Sequence, residues 1–405
     1  MHAPMEQFSV RDGELVVGGE KLSVLAARVG QTPFYAYDRV LLRERVAQLR
    51  AVLPPQVKLH YAMKANPLPA VVCFMVPLVD GIDVASAGEL KVALDAGADA
   101  REISFAGPGK REAELRQAVA SRVLVNVESM REVRLLDAIA SELGMAARVA
   151  VRVNPDFELK GSGMKMGGGP KQFGVDVEDV PALLKEIATA GLGFEGFHLF
   201  AGSQNLRAES ICEAQLKSYE LALRLAELTP GALRFLNLGG GFGFPYFPGE
   251  SRLDLQPIGE NLGHLVERAR AELPEVSFVI ELGRYFVGEA GVYVTRIVDR
   301  KLSRGQVFLV TDGGLNHHLS ASGNFGQVIR KNYPVTIGNR AGSIEREPAS
   351  VVGPLCTPLD LLADRMDLPV AQVGDLAVVF QSGAYGASAS PQAFLGHPPC
   401  VEVLV

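Results

Sequence analysis

The chain has only four cysteines, no excess of positive charge, no low-complexity linker and no internal repeat. Cys73, Cys212, Cys356 and Cys400 lie far apart and show no metal-type spacing, which argues against a zinc module or a disulfide framework and for a reduced compartment. The opening Met1-His2-Ala3-Pro4 lacks a charged head followed by an apolar run, so a cytoplasmic protein is expected. A formal net charge of -6, with basic residues spread along the chain, gives no electrostatic footprint for nucleic acid or an anionic membrane. No apolar stretch reaches the roughly 18 to 20 residues of a membrane-spanning helix. A small-molecule partner is the default that remains.

What is present describes a globular chain large enough for two domains: 405 residues, 48% hydrophobic, 21% charged, with 43 Gly and 24 Pro. From about residue 58 to 284, short apolar segments alternate with longer amphipathic ones. The strands expected are 58–64, 81–85, 103–106, 122–127, 147–153, 194–199, 235–238 and 277–281. The intervening segments 87–97, 109–119, 129–143, 178–190, 207–228 and 257–272 carry apolar residues at helical spacing. Eight such units favour an α/β fold built on a closed parallel (β/α)8 barrel, the TIM barrel, with an open doubly wound sheet as the alternative of similar periodicity. After residue 288 the texture changes to β-branched runs between turn clusters, at 291–299, 307–312, 349–352, 375–380 and 400–405, which reads as an antiparallel β domain. The expected division is therefore 1–31 as N-terminal strands joining the β domain, 32–287 as the barrel and 288–405 as the β domain. The glycine-rich stretch 161–174 is the expected mobile loop.

Barrel topology gives the polar residues a common address, because Lys64, Asp83, Arg152, His198, Gly239-Gly240-Gly241 and Glu281 all fall at strand C-terminal ends, where barrel enzymes do their chemistry. Taken singly, each has an ordinary structural explanation. Their joint placement favours a site. In His60-Tyr61-Ala62-Met63-Lys64-Ala65-Asn66-Pro67 a lysine ends an apolar strand and is expected to be buried, the setting in which an amine becomes available to an aldehyde cofactor. The chemistry that suits the set is that of pyridoxal phosphate. Glycines 239 to 243 would let backbone amides approach its phosphate, Ser203 and the backbone around Gly283-Arg284 would add donors, Glu281 would hold a proton on the ring nitrogen, and His198 would cover one ring face.

With these residues in place, the chain resembles the fold-type III pyridoxal phosphate decarboxylases, the group containing diaminopimelate, ornithine and arginine decarboxylases. The resemblance covers nearly the whole length. It is carried by Tyr61-Ala62-Met63-Lys64-Ala65-Asn66, Asp83-Val84-Ala85-Ser86-Ala87-Gly88-Glu89, Phe197-His198 with Gly202-Ser203-Gln204, Leu238-Gly239-Gly240-Gly241-Phe242, Glu281-Leu282-Gly283-Arg284, Val352-Gly353-Pro354-Leu355-Cys356 and Gly383-Ala384-Tyr385. It implies that Lys64 carries the cofactor, that Asp83, Arg152, His198, Ser203, Gly240, Gly241, Glu281, Gly283, Arg284 and Tyr385 surround it, with Arg284 and Tyr385 also reaching substrate, and that Cys356 is the acid supplied across a homodimer with shared sites. Cys73, Cys212 and Cys400 are read as structural.

The departures bear on substrate. Where the resemblance calls for Glu or Asp after the cysteine, Thr357 and Pro358 stand, and Ser320 stands about where an Arg would hold a distal carboxylate. This resembles a divergent branch of exosortase-associated and carrier-protein-linked amino acid decarboxylases, a likeness also carried by Thr32-Pro33-Phe34-Tyr35-Ala36-Tyr37-Asp38 and Ile103-Ser104-Phe105-Ala106-Gly107-Pro108-Gly109-Lys110. The implied substrate is an amino acid or an aminoacyl carrier protein, and His317 and His318 are read either as contacts to such an arm or as ordinary loop residues. A decarboxylase acting on free diaminopimelate, a racemase using the same cofactor and a non-catalytic regulatory homologue are the alternatives. The last would be expected to have lost the lysine or the glycine turn, and both are intact.

Overall fold

The computed structural model describes the chain except residues 1, 3, 4, 158–163, 166, 326, 328 and 329. It divides into two compact units, one comprising Arg45–Phe244 and Arg252–Gly283, the other Met1–Glu44, Pro245–Ser251 and Arg284–Val405.

The first unit is a closed barrel of eight parallel strands: β1 (Val57–Ala62), β2 (Gly81–Val84), β3 (Ile103–Phe105), β4 (Leu124–Val127), β5 (Arg148–Asn154), β6 (Gly193–Leu199), β7 (Phe235–Gly240) and β8 (Ser277–Leu282). Each pairs with the next, and β8 returns to β1 through Ile280 beside Leu59 and Glu281 beside His60. Closure excludes the open doubly wound sheet. These strands are short and buried on both faces, which is why they read as continuous apolar runs rather than as alternation. Inside, Leu124, Ala150, Phe235 and Val279, from four different strands, form one packed layer.

The helices that follow the first seven strands are α1 (Pro69–Met75), α2 (Ala87–Asp95), α3 (Glu112–Ser121), α4 (Met130–Leu143), α5 (Val180–Thr189), α6 (Ala208–Ala226) and α7 (Gln256–Glu272). Local chemistry sets several ends. Ser86 and Ser129 cap α2 and α4 by accepting the Glu89 and Glu132 amides, and Gly144 stops α4 in the left-handed conformation.

The second unit is a mixed sheet, whereas the sequence pattern suggested an antiparallel one. Its central order is Val335–Ile337, Leu376–Val379, Gly291–Ser303, Gln306–Thr311, Arg346–Val352 and Leu361–Pro369. Two pairs are parallel: Gln306–Thr311 with Arg346–Val352, and Val401–Leu404 with Phe34–Tyr37. The reason is connectivity, since the long excursion 312–345 allows a crossover that a hairpin does not, and strands from opposite ends of the chain can meet in either sense. Phe34–Tyr37 also pairs with Gly291–Val294, so it belongs to this unit although the sequence division placed 32–287 together. Leu361–Pro369 carries no regular alternation, with Arg365 at φ 45, and was not expected as a strand. Residues 10–21 form a three-stranded sheet, and Leu15, Val17, Leu22 and Leu25 share a core with Phe34, Val292, Val294 and Val378.

Gly196 in β6 lies so close to its neighbour that a Cβ there would sit 1.7 Å from the Phe235 carbonyl oxygen. Gly196→Ala should therefore force β6 and β7 apart and cost about 3 kcal/mol of stability, measurable as a lower denaturant midpoint at unchanged m-value.

Candidate active site

Within the barrel unit, the strand ends bring together most of the residues singled out above. Lys64 sits in a single 3-10 turn, Met63–Ala65, directly after β1. It is exposed, contrary to the expected burial, because it lies beyond the last paired residue of the strand where the barrel opens. Its ammonium lies 5.8 Å from the centre of the Phe200 ring, just beyond β6.

Glu281 in β8 is the most constrained group. It is buried, and its Oε2 lies 3.0 Å from His198 Nε2 of β6 and accepts a 3.3 Å hydrogen bond from Asn237 of β7. Burial alone would push this carboxyl up, but His198 beside it, with the positive charges of Lys64 and Arg152, holds it well below the usual carboxylate range. The approach of His198 is close without being a linear hydrogen bond, so neither ring nitrogen of His198 has a hydrogen-bond partner among the described residues.

Asp83 in β2 faces His60 of β1, with Oδ1 3.0 Å from Nδ1 and both side chains buried. Burial disfavours a charged imidazole, yet the Asp83 carboxylate outweighs it and raises the His60 pKa. Asp83 Oδ2 has no partner among the described residues. Arg152 in β5 is buried, donates to Glu128 Oε1 at 3.2 Å, and lies over the Phe173 ring at 4.9 Å.

Ser203 lies in the two-residue strand Gly202–Ser203, which pairs with Met164–Lys165, and its buried hydroxyl has no partner among the described residues. Of the expected mobile loop, 161–163 and 166 lie outside the described residues. Further along it, Gly168 donates to Asn154 Oδ1 at 3.0 Å, and Asn154 donates to the Gly169 carbonyl at 2.9 Å. At the end of β7, Gly239 and Gly241 take φ of 70 and 75, left-handed values that favour glycine on both sides of Gly240. Asn237 Oδ1 accepts the Gly239 amide at 2.8 Å, and the turn is tied to the loop after β6 by Asn205 N donating to the Gly241 carbonyl at 2.8 Å. Gly240 and Gly283 also permit close strand approach: a Cβ would meet the Glu281 carbonyl at 2.1 Å in the first case and that of Ala62 at 2.9 Å in the second.

Several contributors here were not singled out from sequence. Asn237 fixes both Glu281 and the glycine turn. Glu128 pairs with Arg152, and Lys110 and Glu132 join the same buried group of charges through Glu128 and each other. The Glu128-Ser129-Met130-Arg131-Glu132 segment reads as a helix start, a signal that masks its second use.

In the β unit, the Arg284 guanidinium lies 4.6 Å from the Tyr385 ring centre and donates to the Tyr246 hydroxyl at 3.1 Å. Tyr385 adopts φ 52, a left-handed conformation costly for a non-glycine residue. Cys356 is exposed, in a loop braced by Asp360, which accepts the Leu355 amide at 2.8 Å and the Leu315 amide at 2.7 Å. His317 and His318 are fully buried: His317 Nε2 is 2.9 Å from the Pro398 carbonyl and His318 Nε2 is 2.8 Å from the Ser382 hydroxyl. They are core residues, and the reading that they touch a substrate arm is set aside. Ser320 is buried too and donates to the Tyr385 carbonyl at 3.1 Å.

The barrel residues fit pyridoxal phosphate on their own chemistry. A folded chain leaves few buried polar atoms unpaired. Here the His198 nitrogens, the Ser203 hydroxyl and Asp83 Oδ2 are so placed, beside a glycine turn and a carboxylate kept anionic. That set suits a polar ring with a protonated nitrogen and an anionic arm.

Comparison with known proteins agrees. Residues 39–288 match the family described as pyridoxal-dependent decarboxylase, pyridoxal binding domain. The chain is 39% identical over 380 residues to the L-glutamyl-[BtrI acyl-carrier protein] decarboxylase of Niallia circulans, covering 92% of this chain and 89% of that one. It is 34% identical to the diaminopimelate decarboxylase of Aquifex aeolicus, covering 98% and 91%. The crystal structure of diaminopimelate decarboxylase from Helicobacter pylori complexed with L-lysine superposes with a TM-score of 0.82 at 27% identity, over 95% of this chain and 94% of that one. A closed barrel with an anionic carboxylate on its eighth strand, a mixed β unit and matching sequence along nearly the full length place this chain in the family of fold-type III pyridoxal phosphate-dependent decarboxylases.

Proposed function

We propose that this pyridoxal phosphate-dependent amino acid decarboxylase acts on an amino acid carried on a carrier protein, rather than on a free diamino diacid. The observation that carries the reading is the lack of charge where a distal group would need it. Thr357 and Pro358 follow Cys356, and the Ser320 hydroxyl is spent on the Tyr385 carbonyl. A distal ammonium or carboxylate left desolvated without a partner would cost on the order of a few kcal/mol, enough to disfavour free diaminopimelate strongly. A tethered substrate needs no such clamp, and the 39% identical relative is named as a decarboxylase of a carrier-bound glutamyl group.

When bound, the cofactor supplies the electron sink for the pair released as the carboxylate leaves. The chain's residues do the rest. Lys64, at the open end of β1, would hold the cofactor through its aldehyde. Glu281, kept charged beside His198, would hold a proton on the ring nitrogen, and His198 would exclude water from the ring. Ser203 and the turn at Gly239-Gly240-Gly241 would take the phosphate, and Asp83 and Arg152 would set the polar surroundings. The bond between the α-carbon and its carboxylate breaks, carbon dioxide departs, and the Cys356 thiol gives a proton to the same carbon. Cys356 is exposed on its own chain, which supports its serving a second copy, so a homodimer with shared sites belongs to the proposal. A cytoplasmic setting belongs to it too. Among the described residues no helix is long and apolar enough to cross a membrane.

Carbon dioxide release measured over free amino acids and aminoacyl carrier proteins should show turnover of a carrier-bound substrate, and efficient turnover of free diaminopimelate instead would refute the substrate assignment. Lys64→Ala should lose the visible absorbance of bound cofactor. Cys356→Ala should keep that absorbance while kcat falls about a hundredfold, so full activity in either variant contradicts the role given to that residue.

A further inference from the structure

Four buried charges form a closed group beside the site. Lys110 Nζ lies 3.0 Å from Glu132 Oε2, 2.6 Å from the Gly107 carbonyl and 3.9 Å from Glu128 Oε1. Glu132 also accepts the Glu128 amide at 2.8 Å. Glu128 is the hub: Oε1 takes the Gly107 amide at 2.6 Å and Arg152 at 3.2 Å, while Oε2 takes the Gly174 amide at 2.9 Å. Gly174 packs tightly on β5, since a Cβ there would lie 2.9 Å from the Arg152 carbonyl. Glu128 thus ties together the loop after β3, the end of β4, Arg152 on β5 and the end of the glycine-rich segment. Two cations and two carboxylates balance, so none of the four is left as an uncompensated buried charge.

Arg152 stands in register with His198 on the adjacent strand β6, and His198 Nε2 lies 3.0 Å from Glu281 Oε2, so the charge of Arg152 bears on that carboxylate. An arginine freed from Glu128 would find Glu132 already engaged by Lys110 and could shift toward the Glu281 carboxylate that His198 contacts. We propose that Glu128 is a positioning residue: by fixing Arg152 through a buried ion pair, it leaves the Glu281 carboxylate available to the cofactor's ring nitrogen. This rests on the assignment of Glu281 made above. Glu132 provides the internal comparison, since it holds Lys110 with similar burial yet makes no contact with Arg152 among the described residues.

The test compares Glu128→Gln and Glu132→Gln, measuring the dissociation constant of pyridoxal phosphate, the absorbance spectrum of the loaded protein and the melting temperature. Both should melt lower. Glu128→Gln alone should weaken cofactor binding at least tenfold and change the spectrum, and Glu128→Asp should recover most of the affinity. If Glu128→Gln lowers the melting temperature but leaves affinity and spectrum as in the parent, or if Glu132→Gln changes them equally, the proposal falls. Should Glu128→Gln fail to fold, Glu128→Asp against Glu132→Asp gives the same comparison with smaller effects. Glu281→Gln run in parallel separates the two layers: no spectral change there defeats the reading of Glu281 itself, whereas a change there with none in Glu128→Gln defeats only the role of Glu128.

Discussion

A carboxylate that stays ionised inside a barrel is the constraint around which this site is arranged. Removing Glu281 from water favours its neutral form, and a neutral acid could not stabilise a protonated ring nitrogen. The fold answers at graded distance: the His198 imidazole in contact, and the charges of Lys64 and Arg152 acting through space. Asn237 then fixes the orientation of the carboxylate, and through the Gly239 amide it ties that orientation to the glycine turn. One side chain thereby links the ring end of the proposed cofactor site with its phosphate end.

The same economy extends one layer outward. Each buried carboxylate is given its own cation or donor: Glu132 has Lys110, Glu128 has Arg152 and two amides, and Asp83 has His60. Such pairs contribute little net stability, because desolvation offsets much of their attraction. What they supply is definition. Breaking one leaves a charge that must find another partner, and at this site the partner it finds matters.

The β unit obeys a different logic. Arg284 rests between tyrosines, and Asp360 gathers two backbone amides to shape the loop that presents Cys356. The positions that would carry opposite charges for a diamino diacid hold Thr357 and Ser320 instead. In the proposed reading, specificity changes by removal of charge from an otherwise recognisable frame, a change of side chains that leaves the fold intact.

The barrel was legible from sequence because its eight strands are short, apolar and separated by helices with capping residues, so periodicity and turn chemistry pointed the same way. That Lys64, Asp83, Arg152, His198 and Glu281 lie on or just after barrel strands, toward their C-terminal ends, was legible because charge at the end of an apolar strand is conspicuous. The mixed pairing of the β unit was not, because strand polarity depends on which distant segments meet, and Phe34–Tyr37 finds its partners hundreds of residues away. Nor could the sequence tell that His317 and His318 are core residues, that Lys64 stands exposed, or that Glu128 and Arg152 are partners. Local residue pattern decides which elements form and which end of each carries charge. Burial and charge pairing are properties of surfaces brought together from separate elements, and only the folded barrel decided them.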